Sequence, residues 1–277
     1  MNVGYMTNAF GSLVGSGGGV TSVKDVRYET ICNDMQVFQK IRSFGFNGVE
    51  MFDGNLDKFA DDPEGLKDNL QNLGLSLYGV YTGANFIYKD AWRDELWRIQ
   101  QTAKLAARAG AKHLVLGGGA VRGVSQNEND MKVLGQALDE AEAVAAKEGM
   151  IASYHPHLGS MVETPEQIDE LFSLSSIAFC PDLAHLAAGG ADPLEVIKVY
   201  KNRIPYVHLK DWDGEGFVPL GKGEIDLRGI INFLQKENYS GDWLVEIDGY
   251  AGDPVEACRL SYDFLATTLL DKKQRKD

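Results

Sequence analysis

The chain is 277 residues long, with 40 acidic against 27 basic residues, a net charge of −13, 44% apolar residues and three cysteines. This is the composition of a folded globular chain, so disorder is excluded. No apolar run approaches the ~18 residues a membrane span needs. An acidic chain without a basic stripe does not grip phosphate backbones, so nucleic acid is excluded as an expected partner, and so is a membrane. Cys32, Cys180 and Cys258 are odd in number, widely spaced and without a CxxC, which predicts reduced thiols in a cytoplasm and no cysteine zinc site. The start, Met1-Asn2-Val3-Gly4-Tyr5, lacks the basic and apolar regions of a signal peptide and agrees with a cytoplasmic location.

At ~150 residues per domain the length would allow two domains, but a single α/β barrel of about 250 residues fits as well. Hydrophobic patterning decides for the barrel. Short runs rich in β-branched and aromatic residues predict strands over residues 2–10, 46–52, 75–82, 112–117, 150–157, 177–182, 205–210 and 243–248. Stretches of 3.6-residue periodicity predict helices over 29–44, 63–73, 92–109, 129–148, 165–174, 193–201, 227–237 and 254–270. Thr164-Pro165, Asp192-Pro193 and Asp253-Pro254 each place a cap before proline at the first helical position. Gly45, Gly74, Gly110 and Gly149 each follow a helix, where a left-handed residue is wanted.

Strict βα alternation with no linker predicts one (β/α)8 TIM barrel over residues 1–277, with 271–277 a frayed basic tail. A doubly wound open sheet is the runner-up. The glycine-rich connection Gly11–Val26 reads as a lid or a plain surface loop, and no Gly-Lys-Ser/Thr makes it a phosphate loop. Gly117-Gly118-Gly119-Ala120 lacks GxGxxG spacing and predicts a strand-end turn where backbone approaches a ligand or another loop.

Barrel chemistry gathers at the C-terminal ends of strands, where inward residues recur at every second position. The fifth strand puts Ser153, His155 and His157 on one face, and the sixth ends at Asp182, with His185 just beyond. The seventh aligns Tyr206, His208 and Lys210; the eighth aligns Leu244, Glu246 and Asp248. Four consecutive strands thus deliver His, Asp, His and Glu to one rim, with four of the five histidines in the set. One such residue alone is commonly structural, but together two imidazoles and two carboxylates suit Mn²⁺, Co²⁺ or Zn²⁺. His113 opens the fourth strand at the opposite rim and reads as structural.

Five runs, His155-Pro156-His157-Leu158-Gly159-Ser160, Pro181-Asp182-Leu183-Ala184-His185, Val207-His208-Leu209-Lys210-Asp211, Leu220-Gly221-Lys222-Gly223-Glu224-Ile225-Asp226 and Trp243-Leu244-Val245-Glu246, resemble the xylose isomerase-like barrels. The pattern is most similar to the inosose (2-keto-myo-inositol) dehydratase branch. The resemblance implies one divalent metal ion held by His155, Asp182, His208 and Glu246, with Mn²⁺ or Co²⁺ favoured over Zn²⁺ or Mg²⁺. It also implies a sugar or cyclitol substrate and a homodimer or homotetramer. Sugar epimerases of this superfamily carry a glutamate where His155 stands. Its replacement removes one of the two acid/base groups that epimerisation needs and makes the ligand set less anionic.

Both departures favour a metal-dependent lyase that eliminates water from a keto-sugar or keto-cyclitol. A ketose isomerase or epimerase, a lyase acting on 3-keto-glycosides, and a non-catalytic sugar-binding barrel are the alternatives. His157 is the expected acid/base group, because an imidazole titrates near neutral pH. His185 and Lys210 are expected to bind substrate hydroxyls or to supply the second proton transfer. Glu50, ending the second strand, is a further candidate for base or hydroxyl contact. Trp212, Phe10 and Tyr81 are candidates for an apolar pocket wall.

Overall fold

The computed structural model of the chain describes residues 3–10, 12–14, 26–123 and 127–270. The chain opens with β1 (Val3–Met6), which gives way at Thr7 to a 3-10 turn and so is shorter than the expected strand over 2–10. A small antiparallel ribbon follows, β2 (Ser12–Val14) against β3 (Glu29–Ile31). Residues 29–31, expected to begin a helix, are therefore strand. α1 (Asp34–Phe44) starts after Asn33, whose side chain accepts from the Gln36 amide and makes a stronger start signal than the apolar pattern upstream. The lid reading of residues 11–26 falls mostly outside the described residues, as does the tail 271–277.

The next βα units are β4 (Gly48–Phe52), the short α2 (Asp53–Asp57) with α3 (Pro63–Asn72), β5 (Ser76–Ala84), α4 (Lys89–Arg108), β6 (His113–Gly118) and α5 (Asp130–Lys147). β7 (Ile151–Tyr154) stops before Pro156, which has no N–H to extend a ladder. α6 (Pro165–Leu174) starts from a complete capping box between Thr164 and Gln167. Then come β8 (Ala178–Phe179), α7 (Leu183–Ala188), α8 (Pro193–Tyr200) and β9 (Tyr206–Leu209). A hairpin of β10 (Asp211–Trp212) and β11 (Phe217–Val218) precedes α9 (Leu227–Lys236), β12 (Asp242–Val245) and α10 (Pro254–Leu265), which ends in a π-turn. Gly45 closes α1 with φ 113°, donating to the Arg42 carbonyl, as the helix-stop reading requires.

Eight parallel strands form one sheet in the order β8-β7-β6-β5-β4-β1-β12-β9. The ends of that sheet meet at a single parallel bridge between Asp182 and His208, where the His208 amide donates to the Pro181 carbonyl at 3.0 Å. The result is a single α/β domain with a nearly closed TIM barrel; the open-sheet alternative fails at this seam. Met6, Tyr78, Val115, Cys180, Tyr206 and Leu244 pack inside the barrel. The larger apolar layer lies between strands and helices, for example Val49, Leu114, Val207 and Val245 against Phe38, Ile99, Leu138 and Ile231. Among the described residues no helix is long and apolar enough to cross a membrane.

A buried polar network fixes the ends of β4 and β5. Arg98 on α4 is 1% exposed and donates to Asp53 Oδ2 and Thr82 Oγ1, both at 2.9 Å, and to the Gly83 carbonyl. Asp53 Oδ1 in turn accepts from the amides of Tyr28 at 2.8 Å and Gly54 at 3.0 Å. Removing one member of such a pair leaves the other charge buried without its partner. Arg98→Ala is therefore expected to lower unfolding free energy by about 3–5 kcal/mol. Urea unfolding checks it, and the Arg98→Ala/Asp53→Ala double variant should lose less than the two single losses added together.

Candidate metal centre

Each of the four rim residues is aimed by its own element. His155 follows β7 directly, and its amide still donates to the Leu116 carbonyl at 2.9 Å, so the ring keeps the inward direction of the strand. Asp182 caps α7: Oδ1 accepts from the amides of Ala184 at 2.9 Å and His185 at 2.8 Å, which leaves Oδ2 facing inward. His208 points inward from β9. Glu246, one residue past β12, is anchored by its amide to the Leu209 carbonyl at 3.0 Å, and its Oε1 accepts from Asn8 Nδ2 at 3.2 Å.

The four side chains converge. One ligand-type atom from each of His155, Asp182, His208 and Glu246 lies within 4.8 Å of the others, and all four residues are buried. His155 Nε2 stands 3.6 Å from Asp182 Oδ2 and 3.7 Å from Glu246 Oε2, while His208 Nδ1 is 2.7 Å from Glu246 Oε2. Both ring nitrogens of His155 and Asp182 Oδ2 have no hydrogen-bond partner. Buried polar atoms are ordinarily paired, so this set of inward lone pairs fits a divalent cation. Two imidazoles and two carboxylates form a donor set suited to such an ion, and the two negative charges would balance it.

The surrounding charges agree. Burial works to lower the pKa of His155, yet the nearby Asp182 and Glu246 carboxylates outweigh it and hold the ring above its ordinary value. Burial would raise Asp182, but the Lys210 ammonium and its histidine neighbours hold it far below the usual carboxylate range. Lys210 is fully buried, with Nζ 2.9 Å from Asp248 Oδ1, 3.4 Å from Asp182 Oδ2 and 3.8 Å from Glu246 Oε1. Burial would lower this ammonium, but those three carboxylates raise it overall. One fixed cation thus meets three carboxylates, and an excess of negative charge remains.

A second group, His157, His185 and Asp248, lies beside the first. Here Lys210 Nζ already stands 3.0 Å from His185 Nε2 as well as beside Asp248, so a cation is built into this group. Burial and that ammonium push His185 down to about 2, keeping the ring neutral. His157 donates from Nδ1 to the Leu158 carbonyl at 2.7 Å, and burial followed by the charge of His155 lowers its pKa.

A cavity of about 760 Å³ opens above these groups. Aromatic rings of Phe10, Tyr28, Phe52, Tyr81, Phe217 and Tyr250 line it, with Asn8, His157, Glu246 and Asp248 as polar points. The lining offers a small molecule ring faces and a few polar contacts. Gly117 makes room for this wall, since a Cβ there would overlap the Tyr81 ring and hydroxyl. The hairpin carries Phe217 over Lys210, with Nζ 4.1 Å from the ring centroid. Asp211 shapes the loop behind it by accepting from the amides of Gly221 at 2.9 Å and Gly223 at 3.0 Å.

Of the side chains expected in the pocket, Phe10, Tyr81, His157 and Glu246 line the cavity. His185, Lys210, Glu50 and Trp212 are not among its lining residues. His185 and Lys210 sit directly behind Asp248, and Glu50 lies inside the barrel behind His208. Sequence reasoning aligned Asp248 with Glu246 on the eighth strand but gave it no part in the site, and it lines the cavity. It missed Phe52, at the end of the predicted second strand, and Asn8, Tyr28 and Phe217, which reach the cavity from a turn, a loop and a hairpin that carry no strand periodicity.

The profile of the xylose isomerase-like TIM barrel family matches residues 38–268. An inosose dehydratase from Clostridium perfringens is 30% identical over 272 residues, covering 86% of this chain and 89% of that one. The chain belongs to the xylose isomerase-like TIM barrel family. Among solved structures, the probable 3-DHS dehydratase of petrobactin synthesis from Bacillus anthracis superposes with a TM-score of 0.78 at 13% identity, covering 96% of this chain and 99% of that one. An L-ribulose 3-epimerase superposes at 0.75 with 17% identity, covering 100% and 97%. At such identities these two likenesses speak for the fold.

Purified wild-type chain is expected to carry about one divalent ion per chain, as four ligand residues converging on one point provide. The His155→Ala/Glu246→Ala double variant is expected to carry none. Elemental analysis of both proteins after metal supplementation checks this, and an ion-free wild type would make the four-residue group purely structural.

Proposed function

We propose that this chain is a divalent-metal-dependent lyase of the inosose dehydratase kind, removing water from a keto-cyclitol or keto-sugar. The observation that carries the reading is the buried group of His155, Asp182, His208 and Glu246 against a cavity with room for a monosaccharide or cyclitol. The 30% identity to an inosose dehydratase over most of both chains supports the choice of substrate class. A divalent ion held by these four residues would supply Lewis acidity towards a keto oxygen and stabilise the negative charge that develops as the α-proton leaves. Two imidazoles among the donors favour Mn²⁺ or Co²⁺ over Mg²⁺.

His157 is the proposed base. The Leu158 carbonyl can only accept, so the neutral ring carries its proton on Nδ1 and offers the Nε2 lone pair. That ring stands in the cavity wall, where it can take the α-proton. The departing β-hydroxyl needs a proton too, and the proposed donor is Asp248, which reaches the cavity. Burial raises its carboxyl above its ordinary value, and Lys210 Nζ stands 2.9 Å from Oδ1 to stabilise the carboxylate left behind. His185 accepts from Lys210 Nζ at 3.0 Å and holds the ammonium in place from behind. Tyr81, Tyr28 and Phe52 exclude water from one side of the substrate and offer it ring faces. With an imidazole at position 155, the ligand set carries two negative charges where a carboxylate there would make three, which favours elimination from a polarised ketone.

Incubation with a keto-inositol and Mn²⁺ or Co²⁺ is expected to give the ultraviolet absorbance of an enedione, with no product when the ion is chelated. His157→Gln is expected to lower kcat by ~10²–10⁴-fold while ion content stays at the wild-type level. Deuterium incorporation from D₂O without loss of water would overturn the lyase reading in favour of an isomerase or epimerase.

A further inference from the structure

Glu50 faces neither solvent nor cavity. It is fully buried, it is absent from the cavity lining, and both of its carboxylate oxygens lack a hydrogen-bond partner. A carboxylate inside a barrel is costly unless it is paired. The ion-pairing group beside it is His208, whose Nε2 stands 3.4 Å from Glu50 Oε1 and is itself without a partner. Tyr206 and Cys180 pack around the same two groups, bordering Glu50 and His208 respectively.

The backbone is shaped to admit this carboxylate. The register of β4 against β5 shifts between Val49 and Glu50, and the residue then opposite Glu50 is Gly79. A Cβ on Gly79 would lie 2.5 Å from Glu50 Oε2 and 3.2 Å from the Tyr206 ring. Bulge and glycine together clear a volume that the Glu50 head group fills. The opposite ring nitrogen, His208 Nδ1, faces Glu246 Oε2 at 2.7 Å and so belongs to the four-residue group.

We propose that Glu50 is a positioning residue for His208: its carboxylate accepts the Nε2–H, fixes the ring orientation, and leaves Nδ1 as the ligand atom. The proposal rests on the reading of His208 as a metal ligand. An imidazole ligand generally gives its other N–H to a carboxylate, which sets the tautomer and strengthens the ligand. This is a different part from the base or hydroxyl contact expected from the strand-end position of Glu50, because Glu50 acts through the barrel interior.

The test uses the full chain and three variants, Glu50→Gln, Glu50→Asp and His208→Gln. Zn²⁺ and Mn²⁺ affinities are measured by competition with a chelating dye. Nitrogen-15 NMR of histidine-labelled, Zn²⁺-loaded protein reads the His208 Nε2–H, with His208→Gln identifying the signal. Glu50→Gln is expected to weaken metal binding ~10–100-fold and to move the Nε2–H resonance. Glu50→Asp keeps the charge and is expected to recover part of the affinity; it also carries the comparison if Glu50→Gln does not fold. A merely structural Glu50 would lower the melting temperature of Glu50→Gln and leave both readouts unmoved, which overturns the proposal. Wild-type protein that takes up no ion would instead defeat the metal reading itself, and the proposal with it, and is recognised because no comparison with Glu50→Gln is needed to see it.

Discussion

Asp182 ties the barrel together and orients the candidate centre through one residue. Its backbone forms the bridge to His208 that brings the two ends of the sheet into contact. One carboxylate oxygen holds the start of α7, and the other turns towards His155 and Lys210. Both demands on the carboxylate are met at full burial, where an uncompensated negative charge would be expensive. The surrounding cations and N–H groups are therefore part of what lets the wall close, as well as part of the candidate chemistry.

Lys210 illustrates the same coupling from the opposite charge. An ammonium with no solvent exposure is tolerated because Asp182, Asp248 and the neutral His185 surround it and the Phe217 ring covers it. Burial and the neighbouring ammonium hold the pKa of the histidine down, and the carboxylates raise that of the ammonium against the cost of its own burial. The candidate proton-transfer and cation-binding groups thus set one another's charge within a buried cluster.

The barrel was legible because its determinants are local and repeated. Each of the eight apolar runs overlaps one barrel strand, and proline at the first turn of α6, α8 and α10 and glycine after α1 mark helix ends that the hydrogen bonds realise. The convergence of His155, Asp182, His208 and Glu246 was legible for the same reason, since strand alternation and strand ends suffice to place them. What sequence could not show is which side of a strand-end residue the cavity occupies. Glu50 and Lys210 share the rim with His157, yet the register shift at Val49/Glu50 and the carboxylates around Lys210 draw both behind the wall. Such placement depends on contacts between residues as far apart as 50 and 208, which no periodicity encodes. Trp212 lies in the two-residue strand of the hairpin, and its register partner Phe217 is the ring that lines the cavity.

The near-closure of the sheet bears on how the molecule responds to its surroundings. β7, β8, β9 and β12 supply the four converging residues, and between β8 and β9 the backbone offers only the bridge at Asp182 and His208. A ligand drawing those side chains together spans the joint that main-chain pairing leaves weakest. Occupancy and closure are then thermodynamically linked: each tenfold excess of ligand over its dissociation constant adds about 1.4 kcal/mol to the resistance of that joint against opening. Opening in turn releases the ligand, so the least-paired edge of the wall is the part of the fold whose strength is set by the composition of the solution around it.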